Sequence, residues 1–182
     1  IIGEIGNNLK LAARKSDVFQ AILGISWFWF LGVVFVTQMQ LFANASLHGT
    51  PAVASLIFAL FSIGIAAGSV FCNTLLKGVI SVRYVPLSAV LMTIFMIDLF
   101  FASGSASTAL QNSITAGSVV TDPNDAGDRL MGIGALLSHW QSWRVLFDLI
   151  ATAFCAGLFV VPLFATMQAR TAYYLRARIV GA

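Results

Sequence analysis

Hydrophobic residues in this chain fall into four long runs, 18–43, 52–76, 84–103 and 144–168, separated by segments where polar, charged, Gly and Pro residues collect. At about 1.5 Å per residue, a helix of 20 to 26 residues is long enough to cross a hydrocarbon layer of about 30 Å. The pattern therefore predicts an all-α, polytopic membrane protein with four transmembrane helices. Residues 1–17 are amphipathic and read as an interfacial linker helix leading into the first span. Residues 45–50 make a short turn around His48 and Gly49, and Pro51 suits the first turn of the second helix. Residues 104–127 are rich in Ser, Thr, Ala and Gly and carry the turn signal TDPND, so 104–143 is expected to be an external loop. Within it, residues 128–143 have apolar positions near helical spacing at Leu130, Ile133, Leu136, Leu137 and Trp140, and read as a short helix along the membrane surface. Residues 169–182 form a basic segment.

Small residues refine the picture. Gly64 and Gly68 lie four apart in the second span, a spacing that lets two helices approach closely. Gly157 and Pro162 lie in the fourth span, where Pro162 removes a backbone donor and weakens the helix locally.

Composition agrees with a bilayer as solvent. The chain has 182 residues, 59% of them hydrophobic and only 9% charged, where a soluble domain has about a quarter charged. The net charge of +3 does not indicate nucleic acid, because the cations sit at the edges of apolar runs and not on one polar face. Lys10, Arg14, Lys15, Lys77, Arg83, Arg170, Arg176 and Arg178 fall on one side of the four spans, and Arg129 and Arg144 on the other. By the positive-inside rule the first side is cytoplasmic. Cys72 and Cys155 both lie in apolar sequence without a ligand spacing and read as buried free thiols. The first residue is Ile and the last residues, RARIVGA, have no cap, so the chain is expected to be an internal piece of a longer protein.

Candidate chemistry is confined to a few residues. Asp98 lies inside the third span and Asp148 near the start of the fourth. An acid in hydrocarbon costs on the order of 3 kcal/mol, so each needs a cavity or a partner. Two readings stand: a polar site in a substrate cavity, or a structural pair, since Arg144 is four residues before Asp148. Gln38, Gln40 and Asn44 at the outer end of the first span form either a polar wall of that cavity or helix–helix hydrogen bonds. Trp27, in the run SWFWF, lines a cavity for an acyl chain or faces lipid. No phosphate-binding loop, dinucleotide fingerprint, zinc-protease motif or nucleophile elbow is present. Neither histidine has an Asp five residues on, as an acyltransferase would, since Val53 and Arg144 occupy those positions. The chain is thus not expected to be an enzyme, nor to carry a metal or cofactor.

The run GSVFCNTLLKGVISVRYVP (68–86) resembles the loop between paired helices in the major facilitator superfamily. Gly68 matches the first Gly of that motif, Asn73 stands near its acidic position, Gly78 near its second Gly, and Lys77 and Arg83 supply the cations. The runs SWFWFLGVVFVTQMQLF, VRYVPLSAVLMTIFMIDLF and WRVLFDLIATAFCAGLFVVPLFATMQAR are similar to the lysophospholipid transporter branch of the superfamily. The resemblance implies helices seven to ten of a twelve-helix transporter in the bacterial inner membrane, with the N-terminal half and the last two helices outside this chain. It implies alternating access that moves lysophospholipid between leaflets for re-acylation, with a fused or associated acyltransferase as partner. Trp27, Gln38, Gln40, Asn44, Asp98 and Asp148 would then line the substrate cavity, and Gly68, Asn73, Lys77, Gly78 and Arg83 would form the cytoplasmic gate. The alternatives are a drug or metabolite exporter of the same superfamily and a non-transporting membrane anchor or assembly subunit.

Overall fold

The computed structural model describes residues 16–76, 81–117 and 130–170. Those residues form α1 (Ser16–Leu47), α2 (Pro51–Leu76), α3 (Val85–Thr115), the single turn-and-a-half α4 (Ile133–Leu137) and α5 (Trp140–Arg170). Among the described residues there is no strand, only one isolated bridge between Gly49 and Met131. The four long helices are each long and apolar enough to cross a membrane. They run alternately up and down. Val18, Ala21 and Ile25 at the start of α1 pack with Leu163 and Met167 at the end of α5, and Val85 at the start of α3 joins them. At the opposite end, Met39, Ala43 and Leu47 pack with Val53 and Ile57, with Ala106 and Leu110, and with Val145 and Leu149.

α5 is the hub. In its most apolar stretch 56% is buried within the bundle, against 17–28% for the other three helices. It packs along the length of both α2 and α3 and more lightly on α1. Small residues set the α2–α5 distance. A methyl group added at Gly68 would lie 2.0 Å from the Phe154 carbonyl oxygen, and one at Gly64 would lie 2.7 Å from the Ala153 methyl. One at Gly157 would lie 2.5 Å from the Ile65 carbonyl oxygen. Three glycines from two helices thus interlock, and nothing larger fits between the backbones. α5 continues as helix through the fully buried Pro162 to Arg170.

The helix boundaries depart from the sequence expectation in three places. The third span does not end at 103, and 104–115 is not loop: α3 runs on to Thr115. Ala102, Ala106 and Leu110, four apart, keep one face on the core. The hydroxyls that look like loop chemistry are satisfied inside the helix, with Thr108 donating to Gly104 and Ser113 to Ala109. The surface helix expected over 128–143 is reduced to α4, and a break at Ser138–His139 precedes α5, which begins at Trp140. Third, α1 extends through the expected turn to Leu47, because Ala43 and Leu47 remain core positions. His48 then ends it in the left-handed region, φ 47°, and the Gly49 N–H donates back to Ala43. A pair of backbone bonds fastens this corner to the segment before α4: Met131 N–H to His48 C=O (2.6 Å) and Thr50 N–H to Met131 C=O (3.1 Å).

Candidate functional site

Two helices bring three charged side chains together. Asp98 sits near the middle of α3, and Arg144 and Asp148 lie one turn apart in the first half of α5. The Arg144 guanidinium donates to both oxygens of Asp98, through Nη2 to Oδ1 and through Nε to Oδ2 at 3.2 Å. Such two-point pairing uses the flat guanidinium fork and fixes orientation as well as distance. The pairing of Arg144 with Asp148 within one helix, the structural alternative, is therefore not the one formed. The pair crosses from α5 to α3. Three residues away on each helix, in the same direction because the helices are antiparallel, Phe95 and Phe147 meet edge to face at 6.2 Å.

Asp148 differs from Asp98 in its surroundings. It is 1% exposed, whereas the Asp98 and Arg144 side chains are 38% and 55% exposed. It lies close to both of them, its carboxyl beside that of Asp98, and its buried Oδ2 has no hydrogen-bond partner. The unpartnered polarity continues along α5. Hydroxyls on the other long helices, such as Thr37, Ser62 and Thr93, donate to a carbonyl about one turn back. The three hydroxyls of α5, Ser142, Thr152 and Thr166, are buried and have no partner. Asp148, Thr152, Cys155, Phe159, Pro162 and Thr166 are spaced 4, 3, 4, 3 and 4, which places them on one stripe of the helix. That 4–3 spacing is the signal in the sequence for a stripe carrying Asp148, Thr152 and Thr166, and the apolarity of the run around it masks it.

The other proposed cavity residues do not join this cluster. Gln40 and Asn44, one turn apart, line a shallow groove of about 420 Å³ between the end of α1 and the start of α2, with Thr37 and Thr50. Gln38 is exposed and lies outside that groove, because two residues turn a helix by about 200°. Trp27 is 61% exposed, its ring 5.7 Å from Phe30. These side chains and the two acids thus lie at separate places in the described bundle. A second hollow, of about 440 Å³, lies just beyond Asp98 on α3, lined by Phe100, Phe101, Ser103, Gly104, Ser105 and Ser107, with Ser46 of α1.

Of the expected gate residues, Lys77 and Gly78 lie outside the described residues. Asn73 is exposed near the end of α2, and Arg83 is exposed in the turn before α3, its N–H donating to Ser81 at 3.3 Å. Gly68 belongs to the α2–α5 contact. Among the described residues no group of three or more His, Cys, Asp or Glu side chains is placed to hold a metal ion.

No family model, no curated protein and no solved structure matches this chain. The chemistry of the site accordingly rests on its own geometry. A guanidinium and a carboxylate, both half-open, stand beside a buried carboxylate on helices of membrane length.

Proposed function

We propose that this chain is part of a secondary transporter of the major facilitator type in the bacterial inner membrane. In this reading it moves lysophospholipid between leaflets for re-acylation, and the Asp98–Arg144–Asp148 cluster lies in the wall of the substrate path. The observation that carries the reading is the half-exposure of an ion pair on two helices that otherwise suit hydrocarbon. Charges at such a depth are not left facing lipid tails; they face a polar path or another part of the protein. A path that combines a guanidinium, carboxylates and a neighbouring hollow lined by Phe100 and Phe101 suits a zwitterionic amphiphile. Phosphate would pair with Arg144, the ammonium with Asp98, and the acyl chain would lie along the apolar surface. The remaining helices of the transporter would close the other side, and the two halves would rock about the site.

The test is uptake of lysophosphatidylethanolamine into proteoliposomes by the full-length protein. Asp98→Asn and Arg144→Ala are each expected to slow uptake at least tenfold, on the order of the loss of one charge-assisted pair. Unchanged uptake in both variants would remove the cluster from the path. Transport of unrelated amphiphiles in place of the lysolipid would favour the exporter.

A further inference from the structure

We propose that the groove between the end of α1 and the start of α2 binds the neutral, polyhydroxylated headgroup of a membrane lipid, such as a sugar carried on diacylglycerol. The site is separate from the Asp98–Arg144–Asp148 cluster and does not depend on the transport reading. Its shape is set by the backbone. His48 ends α1 at φ 47°, the Gly49 N–H donates to the Ala43 C=O, and the Thr50 N–H donates to the Met131 C=O. The corner that forms one wall is therefore held before any ligand arrives. The hollow is about 420 Å³, within the usual span of small-molecule sites, about 300–1,000 Å³. Its depth follows from the helix rise. Val18 begins the apolar span, and at about 1.5 Å per residue a hydrocarbon layer of about 30 Å is crossed near Gln38. Gln40 and Asn44 then stand at headgroup level, on the outer side by the distribution of cations along the chain.

The groove offers hydrogen bonds and no charge. Among the described residues that line it there is no Asp, Glu, His, Lys or Arg. Gln40 and Asn44 are exposed, one turn apart on α1, and make no side-chain hydrogen bond to the described protein. Side chains one turn apart have Cβ atoms about 6 Å from each other, and each amide both donates and accepts, as a hydroxyl does. Thr37 gives its proton to the Val34 C=O, which leaves its oxygen as an acceptor. Thr50 points to a ligand most directly. It is 5% exposed, its N–H and C=O are both engaged by backbone, and its hydroxyl has no partner among the described residues although it lines the hollow. A buried hydroxyl without a bond is costly, and a ligand hydroxyl entering the groove would complete it. A phosphate or an ammonium would instead lose hydration against a wall with no opposite charge. Sugar and glycerol hydroxyls fit, since adjacent ones can bridge the two amides. The acyl chains would descend along Val34 and Leu41, both exposed and on one face of α1.

The test uses the full-length protein in nanodiscs of phosphatidylethanolamine and phosphatidylglycerol with a minor share of monoglucosyl diacylglycerol. Native mass spectrometry then counts the lipid that stays bound once the disc is removed. The wild type is expected to keep the glucolipid well above its share in the disc. Gln40→Leu and Asn44→Leu should each lower that retention about fivefold, the equivalent of one hydrogen bond, and Thr50→Val should do the same. Gln38→Leu, two residues from Gln40 but outside the groove, should leave it unchanged. Retention no greater than the glucolipid's share in the disc would overturn the proposal, as would wild-type retention in Gln40→Leu and Asn44→Leu. A loss in Gln38→Leu as large as that in Gln40→Leu would make the effect one of the whole surface and overturn it too. Preference for phosphatidylglycerol through the same residues would replace the neutral ligand by an anion and overturn it. Displacement by methyl glucoside added in water would assign the groove to a soluble sugar and overturn the lipid source. Should the leucine variants fail to fold, Thr50→Val decides alone, since it keeps the shape, and wild-type retention there would refute the proposal.

Discussion

α5 presents two unlike faces to its neighbours. Toward α2 it is dry and interlocked: Gly64, Gly68 and Gly157 bring the backbones into contact, and Phe71 packs on Phe154 with ring centroids 5.5 Å apart. Toward α3 it carries the ion pair, with the buried Asp148 beside it. The first kind of contact has one arrangement, because any slide drives backbone into backbone. The second has a buried carboxylate oxygen beside it without a partner, which a different arrangement would satisfy. In the transport reading proposed above, α2–α5 is the fixed unit of the bundle and α3–α5 the interface that changes.

The largest effect that would break this comparison is expected at Gly68. Gly68→Leu forces a side chain against the Phe154 carbonyl, which has no room to yield, and should destabilise the bundle by about 3 kcal/mol or more in a thermal or denaturant unfolding series. Tolerance of that change would mean the α2–α5 contact is not fixed. A smaller effect of opposite sign is expected at Thr152 of α5. Thr152→Val removes a buried hydroxyl with no partner at nearly constant shape, and should stabilise by roughly 1 kcal/mol. A loss of stability there would show that the hydroxyl is structurally satisfied. The smallest effect serves as the reference: Gly104 has open space around it, and Gly104→Ala should gain about 0.5 kcal/mol from helix propensity alone.

Much of the architecture is legible from the four apolar runs, since an apolar run of membrane length leaves few alternatives to a helix. The close-approach spacing of Gly64 and Gly68 is equally plain in the sequence, but nothing in it names α5 as the neighbour. The region after 103 misleads because Ser, Thr and Gly indicate loop in water, whereas hydroxyls that bond one turn back, as Ser105 does to Ala102, are at home in a helix. The site was half legible. Asp98 and Asp148 stand out as acids in apolar runs, but local spacing pairs Arg144 with Asp148, and only the packing of α3 on α5 shows that Asp98 takes it instead. Gln38, Gln40 and Asn44 looked like one wall because their depth along α1 is similar, while their angular positions separate them.

The most direct test of a fixed α2–α5 unit beside a changing α3–α5 interface is a pair of distance measurements on one protein. Spin labels would be placed on the full-length chain in nanodiscs, with Cys72 and Cys155 replaced, at exposed Trp140 on α5 and at exposed Ile63 on α2 or exposed Ile94 on α3. Between nanodiscs without and with lysophosphatidylethanolamine the Trp140–Ile94 distance distribution is expected to shift, and the Trp140–Ile63 distribution to stay the same. A shift across α2–α5, or no shift across α3–α5, would contradict the account.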